Sequence, residues 1–385
     1  MKYYIIAGEA SGDLHGANLV RALVAQDPAA EIRFWGGDAM AEAGGGKAVM
    51  VKHYRDLAYM GFWEVLTHLR IILGNMAFCR KDVAAFRPDA VILIDYPGFN
   101  LRIAKHLFRQ GYKIYYYIAP QIWAWHTSRV KQIRCYIRRV YPVLPFEPAF
   151  YAKHGVEATF LGHPLLDAMA RYRFSDPMAV LADASVGATA VADVVKPLIT
   201  IMPGSRKQEI EKIFPLMLAA TRHFPEYRFA VAATRHLDGT LYARYMCDYP
   251  HIPLVYDRAY DLLSVSAAAL VKSGTSTLET ALLGIPEVVC YKTSAVSYRI
   301  ARLLVMNRIR FISLVNLIMD REVVKELLQG DLTEANIVSE LNKILKNPKI
   351  REKQLVDYEE LRDKLGREGA SVRVAGSIIA DLERI

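Results

Sequence analysis

An apolar segment, a short polar turn and a helix follow one another repeatedly along this 385-residue chain, most clearly at residues 267–286. The apolar run 267–271 leads into a hydroxyl-rich turn and then into a helical stretch that a Gly-Ile-Pro sequence ends. Backbone N–H groups at the start of such a helix carry a partial positive charge, which suits a phosphate group. The same pattern also fits an ordinary capped helix.

The candidate ligands in this turn are small and polar: Ser273, Gly274, Thr275 and Ser276. Glu279 lies one helical turn further on, where its carboxylate can accept hydrogen bonds from ribose hydroxyls. These residue types therefore indicate a nucleotide site.

A second loop of the same kind contains Gly204, Ser205 and Arg206 after the apolar run 198–202. The guanidinium of Arg206 can bind two phosphate oxygens at once, although a solvated residue in the first helical turn would look the same. Two such loops predict a diphosphate held between helix N-termini, and hence a nucleotide-diphosphate donor. The spacing of a P-loop is absent.

Strand-length apolar segments alternate with helical stretches in both halves, which is typical of parallel sheets covered by helices. The clearest of these segments are 3–7, 32–35, 90–94, 113–118, 198–202, 228–232, 254–256, 268–271 and 287–290. We predict an α/β protein of GT-B type, with Rossmann-like domains at 1–170 and 171–348 that face each other across a cleft. The C-terminal helices, 349–385, are expected to cross back onto the first domain or to contact a partner subunit. Ligands of such sheets bind at the carboxyl ends of the strands.

The first predicted strand is followed by residues 8–13, a Gly-Glu-Ala-Ser-Gly-Asp sequence that opens a helix. It lacks the Gly-x-Gly-x-x-Gly spacing, which disfavours a dinucleotide. Glu9, Ser11, Gly12 and Asp13 are candidate substrate contacts, and Glu9 is also a candidate catalytic residue. Ser11 and Asp13 equally suit helix capping. Glu9 precedes the helix and has no evident structural task.

Asp95 directly follows the fully apolar strand 90–94 and is the candidate general base. A carboxylate there can take a proton from an acceptor hydroxyl that attacks a sugar anomeric carbon. The alternative is that Asp95 caps the turn before the next helix. Trp123 and Trp125 follow the next strand, where they either stack on a sugar or pack between domains.

Composition excludes several classes of protein. Hydrophobic residues make up 53% of the chain, yet no run of eighteen residues lacks Asp, Glu, Lys and Arg, so we expect no transmembrane helix. Residues 1–8 fit a first strand and lack the longer apolar core of a signal peptide, so we expect no signal peptide. Four scattered cysteines fit neither a metal site nor a disulfide framework and indicate a cytosolic protein. The net charge of +9 calls for an anionic partner, and without a nucleic-acid module we expect a membrane surface rather than nucleic acid.

Three segments combine apolar residues with basic ones or carry few charges: 57–79, 129–139 and 298–311. Such segments suit binding at a lipid interface, and the first also suits an acyl-chain site. Core helices with one solvated face give the same patterns.

Taken together, the motifs resemble the lipid-A-disaccharide synthase family of GT-B-type glycosyltransferases, over essentially the whole chain. The resemblance rests on the motifs at 8–13, 94–100, 120–125, 144–147, 162–164, 203–206, 273–279 and 313–317. It implies an inverting transfer of diacylglucosamine from UDP-2,3-diacylglucosamine to the 6-hydroxyl of lipid X (2,3-diacylglucosamine 1-phosphate). The product is a β-1,6-linked disaccharide, and UDP is released.

The resemblance also implies that Asp95 is the essential acid and that Arg206, Glu279 and Asn316 contact the donor. Many relatives carry a second Asp where this chain has Gly98, which leaves Asp95 as the only candidate base there. No Asp-x-Asp pair occurs, so we expect neither a chelated metal nor another cofactor.

As partners, we expect the two lipid substrates and the anionic cytoplasmic face of the inner membrane, and the resemblance is compatible with a homodimer. One alternative is another GT-B-type UDP-GlcNAc enzyme, either an epimerase or a peptidoglycan-precursor transferase. Another is a peripheral membrane protein that binds nucleotide sugar only as a regulatory ligand. Substrate preference and turnover distinguish these alternatives.

Overall fold

The computed structural model forms two compact units, one made of Met1–Tyr172 with Leu365–Ile385 and the other of Arg173–Lys364. It describes residues 1–57, 69–123, 127–183, 196–235, 237–294, 298 and 310–384. The apolar segment 58–68, Trp125 and most of the basic segment 298–311 therefore lie outside the described residues. Where the structure describes a helix, none is both long and apolar enough to cross a membrane.

The first unit contains a six-stranded parallel sheet in the order β3-β2-β1-β4-β5-β6. Its strands are β1 (Lys2–Ala7), β2 (Glu31–Gly36), β3 (Ala48–His53), β4 (Ala90–Ile94), β5 (Ile114–Tyr117) and β6 (Arg139–Tyr141). The strand order reverses between β1 and β4, which makes their carboxyl ends the switch point where such sheets bind ligands. Every residue of β4 is buried, which explains its unbroken apolar sequence.

Helices flank this sheet and are joined by short loops. In the first unit they span Ala10–Gln26, Asp38–Ala43, Leu69–Phe86, Pro97–Phe108, Val130–Tyr136, Glu147–Ala152, Pro164–Arg171 and Ala370–Glu383, with short 3-10 turns at Tyr54–Leu57 and Thr127–Arg129. The helix Ala370–Glu383 packs against the helix Ala10–Gln26. Its residues Val374, Ala375 and Ile378 belong to the same hydrophobic core as β1.

An aspartate in the sequence Gly-His-Pro-Leu-Leu-Asp fixes the start of that last helix. The carboxylate of Asp167 accepts hydrogen bonds from the backbone N–H groups of Gly369 (2.6 Å), Ala370 (3.1 Å) and Ser371 (2.9 Å). At the other end of the helix, Asp381 accepts a hydrogen bond from the Tyr115 hydroxyl at 2.7 Å. The helix is thus bonded to the first unit at both ends.

The second unit repeats the plan with a six-stranded parallel sheet in the order β12-β11-β10-β7-β8-β9. Its strands are β7 (Leu198–Met202), β8 (Arg228–Ala233), β9 (Leu254–Tyr256), β10 (Ser266–Lys272), β11 (Glu287–Tyr291) and β12 (Lys325–Leu328). Here the order reverses between β7 and β10. Both candidate phosphate loops therefore begin at the switch point of this sheet.

The helices of the second unit are Pro177–Asp183, Lys207–Thr221, Gly239–Met246, Ala259–Ser264, Thr275–Leu282, Leu314–Met319, Glu334–Lys346 and Pro348–Leu365. Ile210, Phe214 and Met217 follow helical spacing along one face and are fully buried. They belong to the core cluster that also contains Ile199 and Ile201 of β7. This packing fixes the helix that begins directly after the loop containing Arg206.

Candidate active site

Glu9 and Asp95 follow two strands that are direct neighbours in the first sheet. Ala7, near the end of β1, pairs with Ile94, the last residue of β4. The two acidic residues are consequently close enough for the charge of Glu9 to act on Asp95. The structure brings together these two predicted site residues at the switch point.

Asp95 lies in a strained turn that buried side chains hold in place. Asp95 and Tyr96 have positive φ angles of 42° and 49°, a left-handed backbone conformation that non-glycine residues adopt at a cost. The carbonyl of Asp95 accepts hydrogen bonds from the Tyr116 hydroxyl and the Asn100 Nδ2, both at 2.7 Å. Asn100 is fully buried and also bonds the carbonyl of Ile94. These bonds stabilise the turn that carries Asp95.

The surroundings of Asp95 raise its pKa to about 6. Burial is the main cause and the negative charge of Glu9 the second, while a hydrogen bond from the backbone of Tyr96 opposes them. A carboxyl group with a pKa close to neutrality is suited to proton transfer. The helix Pro97–Phe108 has Tyr96 as its N-cap residue, whose side chain makes no capping hydrogen bond. The carboxylate of Asp95 accepts a hydrogen bond from the backbone of Tyr96, so Asp95 also helps to hold the turn before this helix.

The residues after β1 have separate environments. Glu9 is the N-cap residue of the helix Ala10–Gln26, yet its side chain makes no capping hydrogen bond and is partly exposed. Ser11 is exposed, whereas Gly12 is buried where a Cβ would lie 3.2 Å from the Cβ of Ala7. Gly12 thus allows the helix to pack closely on β1. Substrate contacts by Glu9, Ser11 and Gly12 stay predictions.

Asp13 caps a different helix from the one that the sequence predicted. Rather than capping its own helix, its carboxylate accepts hydrogen bonds from the N–H groups of Gly37 (2.7 Å), Ala39 (3.2 Å) and Met40 (3.2 Å). It therefore caps the helix Asp38–Ala43, and nothing local in the sequence indicates this partner.

Trp123 is anchored in the first unit by packing. Its Nε1 donates a hydrogen bond of 3.2 Å to Glu147, and its ring meets that of Phe146 edge-on with centroids 5.0 Å apart. Burial raises the pKa of Glu147 to about 7 against the opposing hydrogen bonds from Leu144, Trp123 and Val143. These contacts pack Trp123 within the first unit, and stacking on a sugar and packing between the domains both stay predictions.

In the second unit, the two candidate phosphate loops lie side by side. Met202 of β7 pairs with Val271 of β10, so the loops leave the sheet at the same level. An ion pair of 2.7 Å between Lys272 Nζ and Glu209 Oε1 connects them. The structure therefore places the predicted residues of both loops at one end of the second sheet.

The loop after β7 presents polar groups to solvent. Gly204 adopts a φ of 111°, a conformation that suits glycine, and both Ser205 and Arg206 are exposed. The helix Lys207–Thr221 then begins without a side-chain capping hydrogen bond. The helix Thr275–Leu282, after the second loop, begins in the same way. Both helix starts thus retain backbone donors suited to an anion.

Glu279 and Ser273 differ in the hydrogen bonds that they make within the protein. The Tyr260 hydroxyl donates a hydrogen bond of 2.8 Å to Glu279 Oε1. Burial raises the pKa of Glu279, and the hydrogen bond from Tyr260 opposes that rise. The hydroxyl of Ser273 donates to the carbonyl of Ile312 at 3.1 Å, and its N–H donates to the carbonyl of Cys290 at 3.0 Å. Ser273 therefore fixes the loop, while Gly274, Thr275 and Ser276 begin the helix.

Asn316 is fully buried with its amide engaged at both ends. Its oxygen accepts hydrogen bonds from the N–H groups of Val323 (2.8 Å) and Val324 (3.0 Å). Its nitrogen donates to the Val324 carbonyl at 2.8 Å and to Glu326 at 2.9 Å. This amide holds the turn before β12, and its implied donor contact stays a prediction.

Two α/β units, each with candidate residues at its switch point, define the GT-B type of architecture. The structure of UDP-GlcNAc 2-epimerase from Neisseria meningitidis bound to UDP-GlcNAc has a TM-score of 0.66 at 14% identity, covering 99% of this chain and 100% of that one. The S. aureus MnaA–UDP structure has a TM-score of 0.69 at 14% identity, covering 100% and 97%. The predicted fold class is confirmed, and at these identities the likeness concerns the fold alone.

Sequence comparison identifies the family within that class. The family model described as lipid-A-disaccharide synthetase matches residues 3–377. The lipid-A-disaccharide synthase of Syntrophus aciditrophicus is 39% identical over 379 residues, covering 96% of this chain and 95% of that protein. That of Geobacter sulfurreducens is 37% identical over 380 residues, covering 97% and 96%. The chain belongs to the lipid-A-disaccharide synthase family, as its motifs predicted, and is a glycosyltransferase of lipid A biosynthesis.

Proposed function

We propose that the chain joins UDP-2,3-diacylglucosamine to the 6-hydroxyl of lipid X, forming the β-1,6-linked disaccharide 1-phosphate and UDP. The observation that carries the residue assignment is the placement of Asp95, whose pKa of about 6 suits a base, at the switch point of the first sheet. Membership of the family supports the choice of reaction.

Asp95 acts as the general base in this proposal. Its carboxylate takes the proton from the lipid X hydroxyl while the hydroxyl oxygen attacks the anomeric carbon of the donor. The bond from that carbon to the UDP oxygen breaks on the opposite side, which inverts the configuration. Burial keeps the pKa of Asp95 high, and Glu9 adds to this effect because its negative charge disfavours a second negative charge nearby.

The loops of the second unit bind the donor and stabilise the departing UDP. Arg206 and the backbone N–H groups of residues 274–276 are the donors we assign to the diphosphate, whose negative charge grows as the bond breaks. Glu279 binds the ribose, with its orientation set by Tyr260. Since these cationic and dipolar groups can supply the needed charge, we propose that neither a metal nor another cofactor takes part.

We further propose that the protein binds peripherally to the cytoplasmic face of the inner membrane, where its acylated substrates reside. Ile71, Leu73 and Phe78 on the helix Leu69–Phe86 are exposed apolar side chains, as a lipid-facing surface requires. The net charge of +9 favours anionic headgroups. A homodimer stays a prediction.

Product analysis tests the reaction directly. The protein is incubated with UDP-2,3-diacylglucosamine and lipid X in detergent micelles containing EDTA, and products are identified by mass spectrometry. A disaccharide 1-phosphate together with UDP supports the proposal and its metal independence. Turnover of unacylated UDP-GlcNAc without a lipid product would instead favour another UDP-GlcNAc enzyme, and UDP binding without turnover of any acceptor would favour a regulatory binding protein.

A further inference from the structure

Glu209 already occupies part of the anion site formed by the loop after β7. One of its carboxylate oxygens, Oε2, accepts a hydrogen bond of 3.2 Å from the backbone N–H of Ser205. The other, Oε1, pairs with Lys272 Nζ at 2.7 Å. The carboxylate also lies over Gly204, where a Cβ would come within 2.5 Å of Oε2. A negatively charged group of the protein itself thus contacts donors that suit a phosphate.

The ion pair between Lys272 and Glu209 is largely buried. The side chains of Lys272 and Glu209 retain only 19% and 15% of their accessible surface, so the pair is shielded from solvent. A shielded ion pair is screened less by salt than an exposed one, and separating it leaves two charges that need new partners. A ligand that takes over Lys272 must therefore offer stronger negative charge than one carboxylate.

A diphosphate meets that requirement. It carries more negative charge than a carboxylate and offers several oxygens, so it can contact Lys272 and the N–H of Ser205 at the same time. Arg206, exposed and directly next to Ser205, adds a second cation on the same loop. The helix Lys207–Thr221 contributes the positive end of its dipole.

We propose that Glu209 is an internal competitor for the donor diphosphate, and that Lys272 becomes a diphosphate ligand once the nucleotide displaces Glu209. Glu209 then keeps the site closed to weakly charged anions, because only a ligand with higher charge displaces it. This inference rests on the proposed function, since it takes the loops after β7 and β10 to be the donor site.

The affinity for UDP, measured by isothermal titration calorimetry at physiological salt, tests this role. Glu209→Gln removes the competing charge and is expected to tighten UDP binding roughly threefold to tenfold, the range of a partly shielded charge interaction. Lys272→Met is expected to weaken UDP binding by a similar factor. Glu211→Gln removes the same charge from the same helix, where Glu211 pairs only loosely with Lys207 at 4.0 Å, and should leave the affinity unchanged.

The possible results separate this inference from the proposed function. If the wild-type protein does not bind UDP, or if Arg206→Ala has no effect on binding, the assignment of the donor site is wrong. If Arg206→Ala weakens UDP binding and Glu209→Gln weakens it as well, Glu209 stabilises the shape of the site instead of competing with the diphosphate. That result would overturn the inference. Should Glu209→Gln fail to fold, Glu209→Asp replaces it. Its shorter side chain cannot span both partners, so tighter UDP binding supports competition and weaker binding contradicts it.

Discussion

Glu9 and Asp95 follow two adjacent parallel strands of one sheet, and the charge of Glu9 adds to the larger effect of burial in raising the pKa of Asp95 to about 6. When two carboxyl groups lie close together, the negative charge of one raises the pKa of the other, which then binds a proton more readily than an isolated aspartate does. In the proposed mechanism, Asp95 transfers the proton and Glu9 adjusts the pKa of Asp95.

The reaction rate should fall as the pH drops through about 6, since Asp95 must be deprotonated to act as a base. In Glu9→Gln a negative charge is lost, the pKa of Asp95 falls, and the acid limb of the kcat/KM profile moves to lower pH. The exposed Glu42→Gln serves as control and should keep the wild-type limb. A limb that stays in place in Glu9→Gln would contradict the electrostatic coupling.

Replacement of Asp95 by Asn should lower kcat by about 10²- to 10⁴-fold, the usual contribution of general base catalysis. UDP affinity should be retained, because Asp95 belongs to the first unit and the predicted diphosphate loops to the second. Steady-state kinetics and calorimetry of the same preparations measure both quantities, with the exposed Asp363→Asn as control. Near-normal turnover of Asp95→Asn would show that another group takes the proton.

Tyr260→Phe removes the hydrogen bond that positions Glu279. The loss of one such bond should weaken UDP binding about twofold to tenfold, because its net contribution is about 1 kcal/mol. Comparing UDP with 2′-deoxy-UDP adds a specific test. The wild-type protein should prefer UDP, and Glu279→Gln should reduce that preference. An equal preference in both proteins would place the ribose elsewhere.

Asp167→Asn should destabilise the protein by about 1–3 kcal/mol, because a charged cap on three backbone N–H groups is replaced by a neutral one. Denaturant unfolding monitored by circular dichroism measures the change in the free energy of unfolding. Glu368→Gln, an exposed site just before the same helix, is the matched control and should cost far less. Equal effects of the two substitutions would show that the cap adds little stability.

The fold could be predicted from local patterns, because parallel strands buried on both faces give unbroken apolar runs such as 90–94 and 198–202. The family followed from the motifs at the ends of these strands. Contacts distant in sequence could not be predicted in the same way. Asp13 bonds Gly37, 24 residues away, and Asp167 bonds Gly369, 202 residues away, so neither partner follows from periodicity.

The individual site residues illustrate the same limit. Asp95 could be proposed because its position after a buried strand is visible in the sequence, whereas the support from Asn100 and Tyr116 depends on how the turn folds back on the sheet. The ion pair of Lys272 and Glu209 joins two loops that are adjacent only because β10 pairs with β7. The spacing of residues along the chain does not indicate that β10 pairs with β7.

The helix Ala370–Glu383 belongs to the core of the first unit although the whole second unit precedes it in the chain. The ribosome therefore synthesises all six strands of the first sheet long before it supplies this helix, which shares a hydrophobic core with β1. The second unit, Arg173–Lys364, is continuous and has its complete sequence available earlier. During translation, the first unit is therefore begun first and completed last. Until its last helix is made, part of its apolar core stays exposed and prone to aggregation.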